Sequence, residues 1–250
     1  MAESSLGETK AYSTKAKGWY GVVRGLIAFL VRSLTRLQVR GLENLPREGP
    51  SLFVTNHLHW MDTPLIATAL PCRAWVFAGE KWAKHPLLGP LFRSIDAIFV
   101  QRGEVDRNAL RKALAVLAGG GFLGLAPEGT RSKTGRLQRG RRGAAYLALL
   151  ANVKVVPMVV TGGPEVFKAL KRLRRAPVQV VIGPAFEPPG AHADPRSRSA
   201  QVHDFSDEIM YRLAAMLPPE YRGEYSDVTE KRPDLMVLYS AADKPKFKER

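Results

Sequence analysis

The residues best equipped for chemistry lie in the stretch Ser51-Leu-Phe-Val-Thr-Asn-His-Leu-His-Trp-Met-Asp62. His57 follows the polar break Thr55-Asn56, and Asp62 stands five residues beyond it. An imidazole beside a carboxylate suits general-base catalysis. The carboxylate fixes the tautomer and stabilises the cation while the free ring nitrogen takes a proton. Two other readings stay open. Asp62 before Thr63-Pro64 has the form of a helix N-cap, which would leave His57 a loop histidine bonded to backbone. His57, His59 and Asp62 also spell His-x-His-x-x-Asp. A zinc site takes three or four ligands, however, and His85, His192 and His203 form no cluster with them, so no metal site is expected.

A second dense group is Pro127-Glu128-Gly129-Thr130-Arg131-Ser132. Gly129 permits close backbone approach, Thr130 offers a hydroxyl and an amide, and Arg131 carries a fork matched to phosphate oxygens. Glu128 either holds that arginine for a ligand or pairs with it only to tie the turn. The spacing is not that of a Walker loop. Gly119 to Gly124 precede a strand rather than follow one, so they are no dinucleotide fingerprint. Two basic runs follow, Arg131 to Arg142 and Lys168 to Arg175.

Strands and helices must bring these groups together. Ser51 to Val54 reads as a strand that stops just before His57, and Thr63-Pro64 opens a helix over Leu65 to Leu70. Further strands are expected at Arg73 to Ala78, Ala97 to Val100, Phe122 to Ala126, Val153 to Val160 and Val178 to Ile182. Helices are expected at Val105 to Leu117, Ala144 to Leu150, Glu165 to Arg175 and Gln201 to Leu217, with a short broken helix at His85 to Phe92. Pro157 argues for an edge or a bulge in its strand. The alternation predicts an α/β fold with a mixed, largely parallel central sheet flanked by helices. His57, Arg102 and Glu128 to Arg131 each sit just after a strand, at the sheet end where ligands bind in such folds.

The 250 residues carry a net charge of +15, with 45% hydrophobic and 24% charged residues. That composition is globular, and the charge implies a polyanionic partner. Neither basic run has the interleaved aromatics of single-strand binders, so no nucleic acid is expected. One cysteine, Cys72, excludes internal disulfides. From Trp19 to Leu37, apolar residues gather on one arc opposite Arg24, Arg32 and Arg36. The pattern fits an amphipathic, membrane-associating helix or a helix docked on the protein's own core, and the net charge favours the membrane. The longest uncharged run there, Gly25 to Val31, is far short of the roughly 20 residues that span a bilayer, and no secretory signal is visible. The expected organisation is a polar tail and interfacial helix over 1–40, an α/β domain over 41–217 and a loosely attached polar tail over 218–250.

Taken in order, Asn56-His57-x4-Asp62, Ile98-Phe99-Val100-Gln101-Arg102, Pro127-Glu128-Gly129-Thr130-Arg131-Ser132 and Val155-Val156-Pro157 resemble the four motifs of the glycerolipid acyltransferase family. The best-known members of that family are the 1-acyl-glycerol-3-phosphate acyltransferases. The similarity runs from about Gly41 to Pro184. It implies transfer of an acyl chain from acyl-CoA or acyl carrier protein to the hydroxyl of 1-acyl-glycerol-3-phosphate, giving phosphatidic acid for phospholipid synthesis. By that resemblance His57 is the general base and Asp62 its orienting partner. Arg102, Glu128, Gly129, Thr130 and Arg131 hold the glycerol phosphate of the lysophospholipid acceptor, and Val156-Pro157 lines a substrate pocket. No cofactor or metal is required, because the thioester is already activated. The expected setting is peripheral, on the cytoplasmic face of an anionic membrane. Three positions depart from the family pattern: Gln101 replaces Asp, Gly140 replaces Phe, and Gly79 replaces a Lys for which Lys81 is a candidate substitute. Glycerol-3-phosphate or a lyso-aminolipid as acceptor, or a non-catalytic basic module on membrane or nucleic acid, are the alternatives.

Overall fold

A computed structural model describes residues 18–101, 106–190 and 195–238. Among these, the strands β1 (Thr35–Arg40), β2 (Ser51–Thr55), β3 (Ala74–Gly79), β4 (Ile98–Val100), β5 (Phe122–Leu125), β6 (Lys154–Thr161) and β7 (Ala176–Ile182) form one sheet in the order β1-β7-β6-β2-β5-β3-β4. All neighbours run parallel except β6 and β7. The sheet is thus mixed and largely parallel, as its sequence pattern predicts. Leu52, Phe53 and Val54 of β2 are fully buried, which is why this strand reads as a continuous apolar run: both its faces are covered. From β2 the chain moves first toward β3 and β4, then returns through β5 and crosses to β6. That reversal puts a topological switch point at the carboxyl end of β2, the position where open α/β sheets bind ligands.

Helices α1 (Gly18–Leu34), α2 (Asp62–Ala69), α3 (Leu88–Ser94), α4 (Arg107–Ala118), α5 (Gly143–Ala151), α6 (Glu165–Lys171), α7 (Pro195–Met216), α8 (Val228–Lys231) and α9 (Pro233–Leu238) complete the fold. Alternate residues of the strands feed two cores. Phe53, Val156, Met158 and Val160 pack on the side of α1, α2 and α6, whereas Leu52, Val54, Val155 and Val159 pack on the side of α4, α5 and α7. Among the described residues, no helix is long and apolar enough to cross a membrane.

Several expectations change. The helix expected to run to Leu37 stops at Leu34, because Leu37 and Val39 alternate with Arg36, Gln38 and Arg40. This two-residue period suits a strand, and Thr35 to Arg40 pair with β7. The sheet domain therefore begins inside the segment assigned to tail and helix. Helix α1 itself is docked: Val23 and Val31 are buried, and Arg24 donates to the carbonyls of Ala67, Thr68 and Leu70 at the end of α2. It satisfies orphan carbonyls there instead of facing water. A second apolar face, with Trp19, Val22, Leu26, Phe29 and Leu30, stays exposed.

Pro157 lies in a strand flanked on both sides, so it marks no edge. Its pairing slips instead. The Gly183 N–H donates to the Pro157 carbonyl, yet Val155 pairs with Phe186, so one residue on β6 faces two beyond β7. The missing proline donor falls in this bulge. Nor is the chain loose over 218–238. Tyr225, Val228 and Leu235 are buried with α7 in the larger core. Residues 1–17 and 239–250 of the two expected tails lie outside the described residues.

Candidate active site

The site begins where β2 ends. Asn56, fully buried, donates from Nδ2 to the Val160 carbonyl (2.9 Å) and accepts the Val160 N–H on Oδ1 (2.8 Å). This two-way bond clamps the end of β2 to β6 and leaves the next residue to turn out of the sheet. The backbone of His57 is then held on both sides by the loop after β5. Its N–H donates to Glu128 Oε1 at 2.7 Å, and its carbonyl accepts the Ser132 N–H at 2.8 Å.

The ring of His57 meets Asp62, the first residue of α2, with Nδ1 3.3 Å from Oδ2; the two side chains are 18% and 3% exposed. The same oxygen accepts the His59 N–H at 2.7 Å. Met61 rather than Asp62 is the N-cap of α2, and the Asp62 carboxylate bonds to His57 and His59, so the N-cap reading gives way to a carboxylate that orients an imidazole. Gly163, just past β6, leaves the room for it: a Cβ there would lie 3.0 Å from Asp62 Oδ1 and 3.2 Å from His59 Cβ. With Nδ1–H directed at a carboxylate, Nε2 carries the lone pair, and this partly exposed ring can accept a proton there. Among the described residues, no three His, Cys, Asp or Glu side chains are grouped to hold a metal.

Glu128 is buried, and its second oxygen accepts the Gln138 N–H at 3.0 Å and Gln138 Nε2 at 3.4 Å. Burial pushes its pKa up, opposed by the donors from His57 and Gln138. The expected pairing with Arg131 is not formed. Arg131 is exposed and makes no ion pair among the described residues. It lies near enough to His59 to help lower that ring's pKa; burial is the larger cause, His57 adds to it, and Asp62 opposes. Gly129 adopts φ 69°, and a Cβ there would lie 2.8 Å from Arg141 Cδ. Thr130 is half-buried. The loop from Glu128 to Arg131 therefore sits at the same sheet end as His57, whereas Arg102 lies outside the described residues. Val156 and Pro157 are buried within the sheet and line no open surface.

One layer of the site had no signal in the sequence. The loop holding Gln138 is braced by the segment after α7: the Leu137 N–H donates to the Tyr221 carbonyl (2.8 Å), the Glu224 N–H to the Leu137 carbonyl (3.2 Å), and the Gly140 N–H to the Tyr225 hydroxyl (3.0 Å). Gly223, at φ 50°, comes so close that a Cβ would stand 2.1 Å from the Leu137 oxygen. A Cβ on Gly140 would lie 2.5 Å from Met210 Cγ. This explains the departure at 140: Met210 of α7 occupies the space that a larger side chain would need.

The Acyltransferase family model matches residues 36–161, half of the chain. A 1-acyl-sn-glycerol-3-phosphate acyltransferase of Cocos nucifera is 30% identical over 141 residues, covering 52% of this chain and 44% of its own length. A 1-acyl-sn-glycerol-3-phosphate acyltransferase of Limnanthes douglasii is 26% identical over 165 residues, covering 64% and 58%. The chain thus spans about half the length of these curated relatives. The crystal structure of the 1-acyl-sn-glycerophosphate (LPA) acyltransferase PlsC from Thermotoga maritima superposes with a TM-score of 0.56 at 23% identity, over 75% of this chain and 78% of that one. At that identity the likeness concerns the fold.

Proposed function

We propose that this chain, which belongs to the acyltransferase family, moves a fatty acyl group from acyl-CoA or acyl carrier protein to the free hydroxyl of 1-acyl-glycerol-3-phosphate, yielding phosphatidic acid. The observation that carries this reading is the contact between His57 Nδ1 and Asp62 Oδ2 at the carboxyl end of β2. His57 Nε2 takes the hydroxyl proton as the oxygen attacks the thioester carbonyl. The C–S bond then breaks, and the imidazolium returns the proton to the departing thiolate. A base so placed supplies about 10²- to 10⁴-fold. Positioning of the two substrates and stabilisation of the oxyanion supply the rest.

Arg131 is the group suited to the acceptor's phosphate, being an exposed guanidinium close to His59 and free of an ion pair among the described residues. Thr130 and Gly129 frame it, and Arg102, which follows β4, joins it on the strength of the sequence motif. Glu128 is given a different role from the other acceptor-site residues: it holds the main chain of His57. The acceptor is a lipid, and the exposed apolar face of α1 supports peripheral attachment to a bilayer, with the cytoplasmic face as the proposed side.

Purified protein given one acyl-CoA and either lysophosphatidic acid, glycerol-3-phosphate or a lyso-aminolipid tests the assignment. Lysophosphatidic acid is the expected acceptor. Preference for another acceptor keeps the chemistry and changes the substrate, and absence of transfer to all three rejects the enzyme.

A further inference from the structure

The mouth of the site borders a surface that the catalytic residues do not explain. Trp60, Phe167, Leu170 and Leu173 are 47%, 42%, 41% and 95% exposed. Phe167 and Leu170 are neighbours one turn apart on α6, and Val166, beside them toward the sheet, is buried in the core. The rings of Trp60 and Phe167 lie 5.4 Å apart, and both pack on His59, at 5.8 and 6.1 Å. His59 is in turn bonded through its N–H to Asp62, so this surface touches the partner of the proposed base.

Leu173 is the odd residue here. Its backbone sits at φ 53°, in the left-handed region, fixed by bonds from its own N–H to the Leu170 carbonyl and from Arg174 to the Ala169 carbonyl. Glycine or asparagine is the usual choice at such a helix end. A leucine there accepts strain and shows nearly its whole side chain to water. Lys171, Arg172 and Arg174 are exposed around it, and Lys168 pairs with Glu165. Arg175 then donates to the carbonyls of Arg32 and Thr35, tying this end of the chain to the end of α1 across a cleft of about 620 Å³ lined by Phe29, Arg32, Ser33 and Arg175. The segment that follows α6 is therefore tied to the end of α1.

We propose that α6 and Trp60 form a second membrane contact, which seats on an anionic bilayer and turns the His57 side of the sheet toward the lipid. Apolar side chains ringed by cations match an interface of acyl chains beneath anionic headgroups. Nucleic acid would meet the cations but leave the leucine and aromatic rings unused. The inference rests on the reading of the acceptor as a membrane lipid, and it adds a foot beside the entrance to the one on α1.

The full chain is sedimented with vesicles of phosphatidylcholine alone and with vesicles of equimolar phosphatidylcholine and phosphatidylglycerol, with no substrate present. Leu173→Asn removes the apolar knob and suits the left-handed backbone. Arg172→Glu combined with Arg174→Glu reverses the charge. Wild type should bind the mixed vesicles in preference, and each variant should bind them about tenfold less well. Leu173→Asn should still turn over a short-chain acyl-CoA and a water-soluble acceptor within about twofold of wild type, since no bilayer takes part. Undiminished binding by both variants overturns the proposal, and so does equal binding of wild type to neutral vesicles. Leu173-dependent self-association without lipid overturns it in favour of a second copy of the chain. Loss of vesicle binding in a protein that transfers no acyl groups upholds the docking surface and rejects the enzymatic reading instead.

Discussion

Glu128 reaches across 71 residues of sequence to accept the backbone N–H of His57 at 2.7 Å, and it grips the main chain of the histidine rather than its ring. With its other oxygen on Gln138, the carboxylate is a fixed point between two loops. Glu128→Gln keeps the size but offers one acceptor oxygen where two N–H groups need one each, so one donor is left facing an NH2. Acyl transfer should fall roughly ten- to a hundredfold in kcat, the range seen when a supporting partner of a reactive group is removed, with little change in KM for the acceptor. Steady-state kinetics against lysophosphatidic acid decide it. A rise in acceptor KM with unchanged kcat would return Glu128 to a direct contact with the substrate.

The same carboxylate gives a pH signature. Burial raises its folded-state pKa above that of the unfolded chain. The folded state therefore holds this proton more tightly, and the group's stabilising contribution, full below the unfolded pKa, is lost as pH rises through the folded one. Denaturant unfolding of wild type and Glu128→Gln across the weakly acidic range should show the wild-type advantage shrinking as pH rises. An advantage that grows with pH would mean that the two N–H donors outweigh desolvation.

His57→Ala and Asp62→Asn separate the base from its support. His57→Ala should cost about 10²- to 10⁴-fold in kcat. Asp62→Asn can still accept the His59 N–H on its amide oxygen, so the fold should hold. Its amide no longer stabilises the imidazolium, and kcat should drop within the same range. Circular dichroism establishes that both variants fold, and acyl-CoA consumption measures the loss. Full activity in His57→Ala would remove the histidine from the mechanism.

Local pattern carried the sheet because its information is local. The apolar run Leu52-Phe53-Val54 and the alternating groups after it follow from burial and strand period alone, as does the meeting of His57 and Asp62 across one turn. Thr35 to Leu37 read as helix because a strand of six residues directly follows an amphipathic helix, and Leu37 continues that helix's apolar arc. The partner of Glu128 was misread for a different reason. Arg131 is three residues away and carries the opposite charge, yet burial favoured backbone N–H donors that come from residues 57 and 138, far off in sequence. The brace from Tyr221 to Tyr225 uses backbone groups and one phenol, which leave no compositional mark in a stretch that reads as polar tail.

That brace makes the last test. The Tyr225 hydroxyl accepts the Gly140 N–H at 3.0 Å, with the phenol buried against Tyr211 at a ring distance of 5.1 Å. From Gly140 the path runs two residues to Gln138, then through Glu128 to the backbone of His57. Tyr225→Phe keeps the packing and removes one acceptor, so stability should fall by about 1 kcal/mol. If the loop only needs to be folded, activity per folded molecule stays at the wild-type value. If it sets the height of Glu128, kcat should fall severalfold with acceptor KM unchanged, and combining Tyr225→Phe with Glu128→Gln should cost less than the two losses added together, since both act on His57 through one path. A double-mutant cycle on kcat reads that coupling directly. Strict additivity would make the C-terminal segment a support for the fold alone.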